Sequence, residues 1–345
     1  MADILVEESL KRSLGLPNME LPIFILQFLN DMKSKGRKAS TYIRYGYYLN
    51  DFKKWIIDYK KIADITLEEW SQLNEEDYSA YYHYLIEEKK YSIVSMKRIE
   101  SVLNSLKLYI VNTLHKESTS PIIKQDVIEK AKPQSDNRDF VSEADFKKLI
   151  RVMKSKEGLT DNQLISRDRL INRNVAIVTL FYKYGLTLNE LINIKMTDLD
   201  FGVAKIIRIP DKKGSSRIVE LDMEDKKLIL AYLDDCKDRR PLYHVAHHHL
   251  FAAFHYHTDQ YFWVYNEDTI PHGNPRPLSC LAVQKMIKQE VRRAGLDNKG
   301  ISAQSMRNSA ILRYYNEHTE QETMEYFGLK TPITLRKYKT YLKTS

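Results

Sequence analysis

No apolar run in this 345-residue chain approaches the roughly 18 residues that a bilayer-spanning helix needs. The N-terminal stretch "MADILVEESLKRSLGLP" has no basic segment followed by an apolar one, so no secretory signal is expected. Cysteine is scarce. The two present, Cys236 and Cys280, cannot build a disulfide framework and suit a reducing cytoplasm. Glycine-rich, repeated and low-complexity segments are absent. With 43% hydrophobic and 29% charged residues, the composition is that of a chain that buries ordinary cores. Its length suits two domains.

Charge is unbalanced. Lysine and arginine number 54 against 46 acidic residues, giving a formal net charge of +8. A polyanionic partner is therefore plausible, although charge alone does not identify one.

Residues 20 to 115 read as four or five helices with no strand signal. "LPIFILQFLNDMKSKG" has helical apolar spacing and stops at Gly36, and "KASTYIRYGYYLNDFKKWIIDYK" offers Ser40 and Thr41 as caps. The expected layout is a helical domain over 1–117, a polar, proline-bearing linker over 118–140, and a second domain over 141–345. "VSEADFKKLIRVMKS" opens that second domain with Ser142 as cap. "VAKIIRI" and "SRIVEL" alternate as a β-hairpin, and helices fill most of the rest. The fold class expected is mainly α with a small antiparallel sheet.

Two stretches of the first domain mix cations, aromatics and small hydroxyls: "GRKASTYIRY" and "YSIVSMKRIESVLNSLKLY". Both lie at the N-terminal halves of predicted helices, where N–H groups and hydroxyls can take phosphates. The candidate phosphate contacts are Lys38, Ser40, Thr41, Arg44, Ser95, Lys97, Arg98 and Lys107, with a solvated helix face as the alternative.

The order of the parts resembles the tyrosine recombinase (phage integrase) family. The resemblance covers residues 20 to 340. It runs through "GRKASTYIRYGYYLNDFKKW", "YGLTLNELINIKMTDLD", the hairpin, "RPLSCLAVQKMIKQEVRRAGL", "ISAQSMRNSAILR" and "FGLKTPITLRKY". It implies a core-binding domain followed by a catalytic-type domain that grip duplex DNA. In that family two arginines, a lysine and two histidines (or a tryptophan) surround a scissile phosphate that a tyrosine attacks. The residue types suit the chemistry. A phenol is a poor nucleophile near neutrality, guanidiniums neutralise the charge that develops on phosphate oxygens, and the leaving oxygen needs a proton donor.

The resemblance places Lys212, with Lys213 beside it, at the hairpin lysine, Arg307 at the second arginine and Tyr338 at the nucleophile. Thr187 stands where the first arginine belongs, three residues before a retained Glu190. Gln304 and Asn308 replace two histidines in "QSMRN", and Leu329 fills the histidine or tryptophan position in "FGL". Losing one transition-state charge contact costs about 3–4 kcal/mol, so these departures imply a protein that still binds DNA but no longer cuts it. Lys212, Lys213, Arg307, Arg336 and Lys337 would then contribute affinity without rate. Lys183, one turn before Thr187, is a weak substitute for the lost arginine, because lysine lacks a bidentate fork.

Seven residues follow Tyr338, short for a segment that docks on a neighbouring protomer in a synapse, while a homodimer on DNA stays open. The histidines His244, His247, His248, His249, His255, His257 and His272 crowd one stretch. No cysteine or carboxylate framework accompanies them, so a loop and no metal site is expected. No cofactor is implied. The sequence-level expectation is a cytoplasmic phage or mobile-element repressor with a regulatory partner it does not name. An active recombinase and an architectural DNA protein are the alternatives.

Overall fold

The structure is a computed structural model. It describes residues 2–130, 139–200, 206–210, 216–236, 248–264 and 274–344. The chain separates into two compact units, 1–134 and 135–345. No described helix is long and apolar enough to cross a membrane.

Among its described residues the first unit has helices and no strand: α1 (Ala2–Leu14), α2 (Ile23–Ser34), α3 (Ala39–Lys60), α4 (Leu67–Ser71), α5 (Glu75–Glu87), α6 (Ile93–Thr113) and α7 (Gln125–Lys130). Reciprocal capping explains several starts. Thr66 and Glu69 close a capping box on α4, and Asn74 and Asp77 close one on α5. The core is aromatic. The Phe52 ring lies 5.1 Å from Trp70, 5.7 Å from Tyr78 and 4.8 Å from Tyr81. Helix α1 has no counterpart in the sequence reading, which began the helices at residue 20. Of the segment read as linker, Ile123 and Val127 are buried in this core, and Pro121 accepts a 2.9 Å bond from the buried Tyr82 hydroxyl. The apolar positions of that short stretch are too few to show a period, which is why it reads as linker. Helix α3 starts at Ala39 after Lys38, so Ser40 and Thr41 lie in its first turn and do not cap it.

The second unit comprises α8 (Glu143–Lys154), α9 (Asp161–Ile165), α10 (Arg167–Tyr184), α11 (Leu188–Asn193), α12 (Met223–Asp235), α13 (Cys280–Arg293), α14 (Ala303–Glu317), α15 (Glu320–Phe327) and α16 (Arg336–Thr344). Ser142 caps α8 as expected, accepting from Asp145 N at 3.1 Å. Helix α10 is the hub, buried on most of its length and packed on α8, α12 and α14. Its sheet has three strands where the sequence suggested two: β1 (Leu199–Asp200), β2 (Ile206–Pro210) and β3 (Ser216–Glu220), antiparallel in that order. Helix α11 ends at Asn193. After α11 the chain makes one 3-10 turn and enters β1.

The His-rich stretch is partly tied into the fold. His249 bridges Lys195, and Met196 N donates to His248 O at 2.8 Å. Two short ladders follow, β4 (Phe254–His255) with β5 (Gln260–Tyr261), and β6 (Trp263–Val264) with β7 (Asn274–Pro275). His244, His247 and His272 lie outside the described residues. Among the described residues no three His, Cys, Asp or Glu side chains stand together as a metal would need.

Candidate nucleic-acid interface and active site

In the first unit, the N-terminal halves of α3 and α6 face a shared groove of about 500 Å³. Ser40, Thr41, Arg44, Lys97 and Arg98 line it, together with Tyr45 and Tyr48. Five of the eight predicted contacts of this unit therefore converge on one surface, although the two stretches lie some fifty residues apart. Arg44, Lys97 and Arg98 are exposed, and none makes an ion pair with a described residue. The other three differ. Ser95 is held in the cap of α6, its hydroxyl 3.1 Å from that of Ser92. Lys107 donates to the Ser120 hydroxyl at 3.1 Å. Lys38 is the exposed residue that precedes α3.

In the second unit, the turn between α10 and α11 organises the site. Helix α10 ends on Gly185 in the left-handed region, at φ 61°. A side chain there would meet the Phe327 ring at 2.5 Å and the Ala310 methyl at 3.1 Å, so only glycine lets α14 and α15 approach this closely. Two residues on, Thr187 caps α11. Its hydroxyl accepts from Glu190 N at 3.1 Å, and its own N–H donates to Glu190 Oε2 at 2.5 Å. Thr187 thus serves as a helix cap at the position where the family resemblance calls for an arginine.

Glu190 gathers two guanidiniums. Arg217, from β3, donates through Nε to Glu190 Oε1 at 3.1 Å and through Nη2 to Oε2 at 3.2 Å. Its Nη1 donates to Tyr326 O at 3.0 Å, and Nη2 also reaches Gly185 O at 3.4 Å. Arg307, on α14, lies 3.5 Å from Glu190 Oε2. It donates to Phe327 O at 2.8 Å and to Gly185 O. Both guanidiniums stand over the Phe327 ring, at 6.0 and 5.7 Å. Burial tends to raise the Glu190 carboxyl, but the Arg217 bonds, Thr187 N–H and Arg307 outweigh it and hold it below its ordinary value. Burial brings the Arg307 guanidinium down to about 10, so it stays charged at neutral pH.

Tyr338, on α16, is 2% exposed. Its hydroxyl donates to Asn308 Oδ1 at 2.9 Å. The same oxygen accepts from Gln304 Nε2 at 2.9 Å, and Asn308 Nδ2 donates to Asp139 O at 3.0 Å. A closed amide network therefore occupies the two positions expected for histidines. Burial raises the Tyr338 phenol above its usual range, only partly opposed by Arg307. Leu329 packs with Tyr338, Phe327 and Leu335 in a small apolar cluster. Tyr314 and Tyr315 pack at the edge of the same cluster.

Lys183 is engaged by carboxylates. It pairs with Asp225 at 2.9 Å and Asp222 at 3.4 Å, toward α12. Arg336 and Lys337 are exposed at the start of α16, with Lys337 Nζ 4.9 Å from the centre of the Tyr338 ring. Lys212 and Lys213 fall outside the described residues. Arg217 was missed by the sequence reading. The available signal was a single arginine in "SRIVEL", and only the register of β3 brings it to Glu190.

Residues 139–343 match the model of the phage integrase family. Among characterised relatives, the chain is 24% identical over 262 residues to the tyrosine recombinase XerS of Streptococcus equi subsp. equi, covering 67% of this chain and 73% of that protein. It is 21% identical over 257 residues to XerS of Lactococcus lactis subsp. lactis, covering 65% and 72%. Among solved structures, it matches the XerH site-specific recombinase bound to its difH substrate with a TM-score of 0.61, at 17% identity and over 91% of this chain and 81% of that one. The Tn1549 transposon integrase in complex with transposon right end DNA matches with a TM-score of 0.63, at 12% identity, over 91% and 94%.

Proposed function

Because the chain belongs to the phage integrase family of tyrosine recombinases, we propose that it binds duplex DNA sequence-specifically on that scaffold and has lost strand cleavage. It would serve a phage or mobile element as a repressor or other transcription regulator. DNA binding has the broader support. The matched structures named above were solved with DNA, and Arg44, Lys97 and Arg98 share one groove, none ion-paired with a described residue. Exposed cations of this kind supply phosphate affinity through counterion release.

The observation that carries loss of cleavage is the surroundings of Tyr338. Its hydroxyl is buried and donates to an amide oxygen, which cannot accept its proton as a base. Leu329 and Gln304 stand at two proton-handling positions, and neither titrates near neutrality. Thr187 is committed to a capping box.

A second reading is favoured by the relatives themselves, which are recombinases. In it Tyr338 is the nucleophile of an active site-specific recombinase, supported by the retained Tyr338 and Arg307 on neighbouring elements. An architectural DNA protein is a third reading, distinguished by little preference between specific and random duplexes.

One assay separates the first two. A nicked suicide half-site is built on the sequence selected by the protein from a random duplex pool and incubated with the protein. Denaturing gels should show no covalent adduct for the natural chain. An adduct that disappears in Tyr338→Phe would establish the recombinase reading and end the repressor one.

A further inference from the structure

We infer that Arg217 is a phosphate-binding residue of this site, supplying from β3 the second guanidinium that Thr187 no longer supplies from the α10–α11 turn. This rests on the DNA-binding reading above.

The first argument is charge. Arg217 and Arg307 both meet Glu190, and among the described residues no other carboxylate is bonded to either. Two cations and one anion leave one positive charge in a largely buried place, with side chains of Arg217 and Arg307 each only 8% exposed. An uncompensated buried charge is costly and calls for a counter-charge. A backbone phosphodiester carries one negative charge, and one Arg217 Nη1 N–H is left for it beyond the four taken by Glu190, Tyr326 O and Gly185 O.

The second argument is orientation. Arg217 is fixed by the Glu190 fork and by two backbone carbonyls, from Tyr326 and Gly185. A cation held this way loses little freedom when a ligand arrives. The carbonyl bonds could also be a simple brace between β3 and the end of α15. A brace, however, needs one guanidinium. It does not explain why a second one shares the same carboxylate and the same Gly185 oxygen.

The third argument is place. The Arg217 stem passes Gly328, where an added Cβ would lie 3.9 Å from its Cδ. Gly328 adjoins Leu329, the position that lacks its histidine. Arg217 therefore spans from the turn carrying Thr187 to the segment carrying Leu329, the two places where the chain lost polar groups. Lys183, the alternative cation, is committed to Asp222 and Asp225.

The test measures affinity for the selected duplex against salt concentration by fluorescence anisotropy. It compares the natural chain with Arg217→Gln, Arg217→Lys and the double variant Thr187→Arg with Arg217→Gln, each checked for its melting temperature. Arg217→Gln is expected to weaken binding about tenfold and to flatten the log–log salt slope by about one. The double variant should regain most of that slope. Arg217→Lys keeps the charge and loses the fork that grips Glu190 and orients the cation, so its slope should hold while affinity falls about threefold. A folded Arg217→Gln with unchanged affinity and slope would overturn the proposal, leaving Arg217 as a brace. If Arg217→Gln does not fold, a folded Arg217→Lys with natural affinity has the same force. A natural chain that binds no duplex would overturn the DNA-binding reading itself, and the proposal with it.

Discussion

The two units treat their cations in opposite ways. In the first, Arg44, Lys97 and Arg98 line an open groove and are ion-paired with no described residue. In the second, Arg217 and Arg307 are sunk among protein acceptors and share one carboxylate. Free exposed cations give affinity that salt erodes. Buried, bonded ones first hold structure, and only their surplus charge is left for a ligand. On the proposed DNA-binding reading the first unit supplies grip, while the second couples grip to its own packing. Substitutions of Arg217 or Arg307 should change stability and binding together, and those of Arg44, Lys97 and Arg98 should change binding alone.

The largest effect expected is on the packing side of this contrast. Gly185→Ala places a methyl in the Phe327 ring and forces a left-handed residue to carry a Cβ. Overpacking and backbone strain together should cost about 4 kcal/mol. Calorimetry should show the unit spanning 135–345 melting early while the first unit keeps its own transition. A Gly185→Ala chain of natural stability would mean that α10, α14 and α15 are not so closely packed.

Next comes the grip. Replacing Arg44, Lys97 and Arg98 with alanine removes three exposed cations and should weaken duplex binding on the order of a hundredfold. The salt slope should fall by roughly 2.7, taking about 0.9 per phosphate contact. The melting temperature should stay put, because none of the three is ion-paired with a described residue. If this triple variant bound normally and Arg307→Gln did not, the contrast between the units would be reversed.

Thr187→Ala tests a smaller step. Loss of the α11 cap should cost about 1 kcal/mol and loosen the hold of the Thr187 N–H on the Glu190 carboxylate. DNA affinity should move little, since threonine itself carries no charge to the phosphate. A large binding defect with unchanged stability would instead make Thr187 a ligand-contacting residue.

These contrasts were unevenly legible in the sequence. The helical first unit, the hairpin and the cap at Ser142 follow from local signals: apolar spacing, alternation, and a hydroxyl before an acidic turn. The groove cations could be named because they sit in two basic-aromatic stretches. Helix packing, which no local pattern reports, is what brings α3 and α6 together. Thr187, Gln304 and Leu329 could be flagged as departures from the family pattern, but not what each of them contacts. The Gln304–Asn308–Tyr338 network needs α14 and α16 side by side. Arg217 needs the register of β2 on β3, with Ile209 opposite it. β1 escaped notice because two residues show no alternation.

The smallest effect, and the sharpest on the electrostatic side, is acid sensitivity. Glu190 is held below its ordinary carboxyl value because its charged form binds Arg217, Thr187 N–H and Arg307. A depressed folded value means that this contribution to stability is complete above the ordinary glutamate range. It is lost as the pH falls through the folded value, where protonation leaves both guanidiniums without a counter-charge. The second unit should therefore lose stability on acidification from about pH 5 downward. In Glu190→Gln that slope should be shallower, from a lower starting stability, since the neutral amide cannot balance the two arginines at any pH. Partial burial tends to raise the Asp64 carboxyl of the first unit, but Lys53 and the Ile65 N–H hold it low, and its side chain is largely exposed. Solvent screening makes such a pair worth little, so Asp64→Asn should leave the acid limb nearly unchanged. Chemical denaturation at a series of pH values would decide it. Equal acid limbs for the natural chain and Glu190→Gln would show that the two guanidiniums do not depend on Glu190 for their balance.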